Sequence, residues 1–246
     1  MLEFVPNIVR KMSFLYSPNF NSKKRERKNI KYLIYHYTGM KSDKLAINKL
    51  TSFNSKVSCH YYITRKGKLI QIVPDLYVAW HAGKSSWKKD KLLNKNSIGI
   101  EISNPGHQHG YLSFRKEQIK SLIKISRTLI KKYKIKKENI LGHSDIAPLR
   151  KKDPGEKFPW KLLAKKKIGL WHKIEEKICK KLRRKKLDKK RSQYLLKKLD
   201  KFGYYSKQSN VKNLKKIIKS FQRRFRPELV DGKLDIECFK IINSLI

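Results

Sequence analysis

The chain is poor in cysteine, in acidic residues and in long apolar runs, and each shortage removes a class of protein. Three cysteines occur in 246 residues, Cys59, Cys179 and Cys238. Their odd number and scattered positions, with no Cys-x-x-Cys pair, exclude a disulfide framework and a cysteine-rich metal site. No apolar run approaches the ~20 residues of a membrane span. Residues 1–16 are mildly apolar but carry Glu3, Arg10 and Lys11, so no signal peptide is expected, and no early cysteine offers a lipid anchor. Acids are scarce: 19 Asp and Glu face 62 Lys and Arg, a formal net charge of +43. Such a surplus attracts polyanions, whether nucleic acid, anionic lipid or an acidic wall polymer. Here the charge is mostly lysine dispersed over the whole chain, and nothing resembles a nucleic-acid motif. Nucleic acid is therefore not an expected partner.

What remains is enough for a core. The hydrophobic fraction is 39% and the aromatic fraction 11%, which excludes a disordered chain. Residues 30–37, Ile-Lys-Tyr-Leu-Ile-Tyr-His-Tyr, are β-branched and aromatic on both faces, the pattern of a central strand. Residues 59–64 and 69–73, joined by a turn at 65–68, read as a hairpin. Residues 97–103 alternate strictly, with Ile98, Ile100 and Ile102 on one face and Gly99, Glu101 and Ser103 on the other. Helical spacing appears at 41–52 and more strongly at 115–133, where Ile119, Leu122, Ile123, Ile125, Leu129 and Ile130 form a stripe. Strands covered by helices predict an α/β layered domain built on a central mixed β-sheet. Beyond it lie a very basic stretch at 171–191 and three short helical patterns in the last fifty or so residues. The expected organisation is an N-terminal arm (1–28), a catalytic domain (29–170), a basic linker or helix (171–191) and a small three-helix domain (192–246).

Residues 141–155, Leu-Gly-His-Ser-Asp-Ile-Ala-Pro-Leu-Arg-Lys-Lys-Asp-Pro-Gly, organise the chemistry. Pro148, Pro154 and Gly155 prevent one regular element from running through them. His143 and Asp153 can therefore converge only if the loop folds back. A histidine and a carboxylate held so are two of the three protein ligands of a catalytic zinc. The third is expected on a rigid element, and His36 stands at the end of the central strand. Glu101, on the strand face without isoleucines, is the candidate to move the proton. Lys151, two residues before Asp153, is the candidate cation for an oxyanion. Each has a plain alternative: His36 a core histidine, Glu101 a solvated strand residue, Lys151 a surface lysine. His60 and His81 are other possible ligands, the first read as a strand residue and the second as lining a pocket. Trp80 and Trp87 fit either a core or a sugar-stacking wall.

Five segments decide between these readings by resemblance. They are Tyr35-His36-Tyr37-Thr38, Ser58-Cys59-His60-Tyr61, Ala79-Trp80-His81-Ala82-Gly83, Ser97-Ile98-Gly99-Ile100-Glu101-Ile102, and the loop from Gly142 to Gly155. In this order they resemble the zinc-dependent N-acetylmuramoyl-L-alanine amidases of the AmpD/AmiD type, over roughly residues 29–163. The resemblance implies one zinc ion on His36, His143 and Asp153, Glu101 as catalytic carboxylate, and Lys151 near the reacting carbonyl. It implies a peptidoglycan or muropeptide substrate, and Tyr37, His60, Trp80, His81 and Trp87 are the candidates to contact it. The chain departs from the commonest loop form at Leu149, where some members have glycine. The Trp80–Trp87 segment is nearer the AmiD branch. Residues 196–204, 218–225 and Asp231-Gly232 resemble a peptidoglycan-binding module, although Arg226-Pro227-Glu228 replaces its usual glycine turn.

Two rivals predict different behaviour. A non-catalytic recognition protein binds muropeptide without cutting it, and loss of a zinc ligand usually marks one; here all three are present. A basic binder of nucleic acid or lipid shows salt-sensitive binding that survives His143→Ala. The lack of a signal points to the cytoplasm, whereas the AmiD-like features point to the cell envelope, periplasmic or secreted; the envelope is the expected location.

Overall fold

The computed structural model describes residues 13–204 and 210–246; most of the mildly apolar leader region read above, residues 1–12, lies outside the described residues. The strands in chain order are β1 (Ser13–Phe14), β2 (Phe20–Asn21), β3 (Tyr32–Tyr37), β4 (Tyr61–Ile63), β5 (Leu69–Gln71), β6 (Val78–Ala79), β7 (Ser86–Trp87), β8 (Asp90–Lys91), β9 (Ser97–Ile102) and β10 (Ile140–Gly142). The helices are α1 (Asp43–Thr51), α2 (Lys116–Tyr133), α3 (His143–Ile146), α4 (Trp160–Lys165), α5 (Glu176–Leu182), α6 (Lys189–Phe202), α7 (Val211–Phe225) and α8 (Ile236–Leu245). The chain divides into two compact units, residues 1–83 with 94–136 and residues 84–93 with 137–246.

In the first unit, five strands of the mixed central sheet lie in the order β1–β5–β4–β9–β3. β3 and β9 pair in parallel from Tyr32↔Ser97 to Tyr37↔Ile102. Parallel strands are covered on both faces, so both sides must be apolar or filled. Leu33, Ile34, Tyr35, Ile98, Ile100 and Ile102 are all fully buried. The expected hairpin is present, with β4 antiparallel to β5 in the register Tyr61↔Gln71. On one side α2 buries Ile119, Leu122, Ile125 and Leu129, and the Tyr35 hydroxyl meets Ser126 Oγ at 2.8 Å. α2 starts where Gln118 Oε1 accepts from the Arg115 N–H and stops at Lys134 in the left-handed region. α1, capped by Ser42, closes a second cluster with Leu50, Cys59, Tyr62, Ile70 and Val73.

The stretch read as an arm is part of this unit from residue 13 onward. β1 pairs in parallel with β5, and β2 pairs with β6. The buried Arg25 guanidinium donates to the carbonyls of Asp75 and Asn94. These ties are side chain to loop backbone, so they leave no periodicity in the sequence.

In the second unit, the four C-terminal helices pack with the loop. The physical reason is a buried ion pair. Arg224 on α7 donates to Asp145 Oδ2 on α3 at 2.6 Å, with both side chains almost fully buried. Asp145 also accepts from the Gly142 N–H and the Tyr204 hydroxyl. Burial and the Asp145 carboxylate push the Tyr204 phenol far up, so it remains a donor. Ser220 on α7 donates to the Ser144 carbonyl. Arg226, which stands where the resembled module has its glycine turn, is a second buried hub. It pairs with Asp231 at 3.0 Å and with Asp235, while Arg183 grips Glu237 with two bonds of 2.8 Å. A helix-spanning network of ion pairs thus stands at this turn.

Removing one partner of a buried pair leaves the other charge uncompensated. Arg224→Ala is expected to destabilise the fold by about 3–5 kcal/mol, read as a fall in the urea midpoint without a change in its slope.

Candidate metal centre

His36 is placed by the register of the sheet. It is the residue of β3 directly across from Glu101 on β9, and the two side chains share the face opposite the isoleucines. His36 Nδ1 lies 4.0 Å from Glu101 Oε1. That face is kept open by Gly99. A Cβ there would stand 2.4 Å from Cγ of His81, so only glycine lets the His81 ring lie on the strand. His81 Nδ1 is 3.0 Å from His36 Nε2.

His143 and Asp153 are placed by a fold-back of the loop. The Ser144 N–H donates to the Asp153 carbonyl at 2.8 Å, and α3 continues through Ala147 N–H to the His143 carbonyl. Nine residues of intervening chain are closed into a ring, and His143 Nδ1 sits 3.1 Å from Asp153 Oδ2. Lys151 is half-buried, and its backbone N–H donates to the Ala147 carbonyl at 3.0 Å.

His36, His143 and Asp153 each offer a ligand atom, and the three atoms lie within 4.8 Å of one another. Their exposures are 1%, 3% and 6%. Two imidazoles and a carboxylate match a catalytic zinc donor set, whose ligands at 2.0–2.1 Å from a tetrahedral ion stand roughly 3.4 Å apart. Polar groups this buried are stable when paired or bound to metal, so the donors present fit the ion that the resemblance implies.

The other expected residues separate into three kinds. His60 has no exposed surface, and its Nδ1 accepts from the Gly99 N–H at 3.0 Å. The ring proton is then on Nε2, 3.0 Å from the Tyr77 carbonyl. Trp87 is 1% exposed. Its ring packs edge-on against Phe202 and Tyr204 and rests on Gly203, where a Cβ would come within 2.4 Å of it. Neither ring offers a surface to a ligand. Trp80 is partly exposed and donates Nε1–H to Asn21 at 2.6 Å. Tyr37 follows His36 but points to the opposite face. It packs beside Gly106, and its hydroxyl meets His107 Nδ1 at 2.8 Å.

Sequence reasoning passed over Arg150 as one more basic residue of the loop. Its Nη2 lies 3.3 Å from His143 Nε2, and it is anchored by two bonds to the Lys84 carbonyl. Burial lowers its pKa, with Asp153 opposing. Only its position beside Lys151 could have suggested it.

The family profile of N-acetylmuramoyl-L-alanine amidases matches residues 26–156. The chain belongs to this family, and it is an enzyme whose reaction is hydrolysis of the amide between N-acetylmuramic acid and L-alanine. It is 35% identical to the N-acetylmuramoyl-L-alanine amidase AmiD of Escherichia coli over 233 residues, 88% of this chain and 82% of that protein. The structure of that AmiD, solved with anhydro-N-acetylmuramic acid-L-Ala-D-γ-Glu-L-Lys, superposes with a TM-score of 0.78 at 33% identity, covering 92% of this chain and 91% of the other. AmpDh3 of Pseudomonas aeruginosa gives the same TM-score at 28% identity, over 93% and 95% of the two chains. The 1,6-anhydro-N-acetylmuramyl-L-alanine amidase AmpD of Salmonella typhimurium is 40% identical over 105 residues, 43% of this chain and 54% of its own length. No helix among the described residues is long and apolar enough to cross a membrane.

Burial, and then the nearby Arg25, lower the His60 pKa from 6.5 to about 3. The unfolded chain binds this proton below pH 6.5 while the folded chain does not. The stability that His60 confers is therefore complete above pH 6.5 and is lost as pH falls towards 3, by at most about 1.4 kcal/mol per pH unit. His60→Asn, which keeps an acceptor near Nδ1 and cannot titrate, is expected to flatten the decline in urea-denaturation stability between pH 6.5 and 4.

Proposed function

We propose that the reaction runs with one zinc ion held by His36, His143 and Asp153, with Glu101 as the proton carrier and Lys151 as the cation at the carbonyl. The convergence of three buried donors beside Glu101 in an amidase-family fold carries this reading. When bound, zinc supplies a water of near-neutral pKa and polarises the scissile carbonyl. Glu101, held by the sheet register across from His36, accepts the proton of the attacking water and hands it to the leaving L-alanine nitrogen. The Lys151 ammonium balances the charge that develops on the carbonyl oxygen. The AmiD complex and the AmpD names support a muropeptide substrate, free or within the wall.

The surplus of 43 positive charges suits a wall polymer bearing peptide carboxylates. We place the enzyme in the cell envelope on the AmiD-like span of the chain. For α6–α8, the resemblance to a wall-binding module supports docking on peptidoglycan. The ties from Arg224 and Ser220 to α3 favour a second role, bracing the loop that carries His143.

Stem-peptide release from purified peptidoglycan and from soluble anhydro-muropeptide, followed by mass spectrometry, tests the reading. Release is expected to vanish with chelator and return with zinc. Glu101→Ala is expected to slow it by about 10²–10⁴-fold, and Lys151→Ala by about 10²–10³-fold. Wall binding without release from any zinc-loaded sample would convert the protein into a recognition protein and the site into a binding site.

A further inference from the structure

His81 has no place in the scheme above, yet it is built into the unit more firmly than a pocket-lining residue needs. It follows β6 and is largely buried. Asn94 Oδ1 accepts from the N–H groups of His81 and Ala82, fixing the backbone on either side of the ring. Gly99 gives up its side chain to the ring. The ring meets the edge of His36 at a centroid distance of 5.1 Å and that of His60 at 5.5 Å. Its two nitrogens continue one line of hydrogen bonds, from His36 Nε2 through His81 Nδ1 at 3.0 Å, then from His81 Nε2 to Ser97 Oγ at 3.1 Å.

Each neutral imidazole carries one proton, so this line has two possible directions. In one, His36 donates from Nε2 and His81 donates from Nε2 to Ser97. The lone pair of His36 is then on Nδ1, the nitrogen on the Glu101 side. In the other, His81 donates from Nδ1, and the His36 proton sits on Nδ1, where it blocks ligation. Only the first is compatible with His36 as a metal ligand, and Ser97 can accept the terminal proton because a hydroxyl also accepts.

We infer that His81 is the positioning residue of the metal centre: it accepts the Nε2 proton of His36, fixes its tautomer and ring angle, and passes the demand to Ser97. The inference rests on the zinc assignment of His36. A ligating histidine generally donates its second N–H to a carboxylate, carbonyl or water, and losing that partner weakens metal binding by about 10–100-fold. Here a second imidazole takes that part, its own tautomer fixed by a serine on β9.

The test is zinc affinity, measured by competition with a chromophoric chelator, alongside hydrolysis by the wild type. His81→Leu is expected to bind zinc about 10–100-fold more weakly while keeping the wild-type circular dichroism. His81→Asn places an amide oxygen near the Nδ1 position and is expected to recover most of the affinity. His81→Gln, whose amide sits near the Nε2 position, is not. Equal zinc affinity in His81→Leu and wild type, or an Asn variant no better than Leu, would overturn the inference. A mutation-free measurement covers the case in which these variants fail to fold. Nitrogen-15 histidine spectra of the zinc-loaded wild type should show His36 protonated at Nε2, and a proton on Nδ1 overturns the idea equally. If the wild type neither binds zinc nor hydrolyses, the proposed function itself fails; if it does both and His81→Leu is unchanged in zinc affinity, only the role of His81 falls.

Discussion

The bond from the Ser144 N–H to the Asp153 carbonyl is the constraint on which the loop's share of the site depends. Without it, the residues between His143 and Asp153 would be an open, proline-interrupted segment, and the two side chains would have no reason to meet. Closing such a ring has an entropic cost, and the rest of the second unit offsets it. Asp145 holds the Gly142 N–H from within the turn, Arg224 and Tyr204 hold Asp145, and Ser220 occupies the Ser144 carbonyl. Both residues that follow His143 are thus gripped by groups from α7 or its approach, some sixty to eighty positions later in the chain.

The first unit solves the opposite problem. There the backbone is rigid by default, since β3 and β9 share an unbroken parallel register. The difficulty is to keep one sheet face polar at its centre. Gly99 does this by omission, giving room to His81, and His60, at the start of the neighbouring strand, accepts the Gly99 N–H. The histidines around β9 form a graded series. His60 is locked as a neutral structural ring, His81 touches both neighbours, and His36 faces the donor set. Burial disfavours the imidazolium form of His60, which suits a ring whose lone pair accepts from the Gly99 N–H.

Much of this was legible in the sequence, and the reasons are local. β3 announced itself by apolar residues on both faces, β9 by strict alternation, and the loop by its prolines. The triad needed more than locality: His36 is over a hundred residues from His143, and only the ordered set of five motifs joined them. What stayed hidden depends on distant partners. Trp87 looks like a sugar platform until Gly203 and Tyr204 are seen to enclose it. His60 looks like its neighbours until the Gly99 N–H occupies its nitrogen. Arg224 and Arg226 sit in a helix and turn so rich in cations that neither reads as buried, yet both side chains are nearly inaccessible. Residues 13–28, read as an arm, are bound by two strand pairings of two residues each and by the Arg25 side chain, contacts too short for any periodicity to reveal.

The scarcity of acids and the architecture of the interior are one fact. Asp75, Asp145, Asp153, Asp235 and Glu237 are all buried, and Glu101 is mostly so. Asp75 accepts from Tyr61, Tyr133 and Lys132, and the network of cations and hydroxyls holds its carboxyl below the usual range despite burial. Asp145 closes the loop, while Asp235 and Glu237 hold Arg226 and Arg183. Nearly a third of the 19 acids are thereby withdrawn from the surface, where lysines meet few partners of opposite sign. A surface of that kind repels itself and is stabilised by counterions, so polyanions gather at it over a Debye length of about 8–10 Å at moderate salt. The same substitution that strips a buried acid from this chain removes both an internal tie and one of the few negative charges opposing the positive field. Interior order and exterior charge are coupled through a handful of carboxylates.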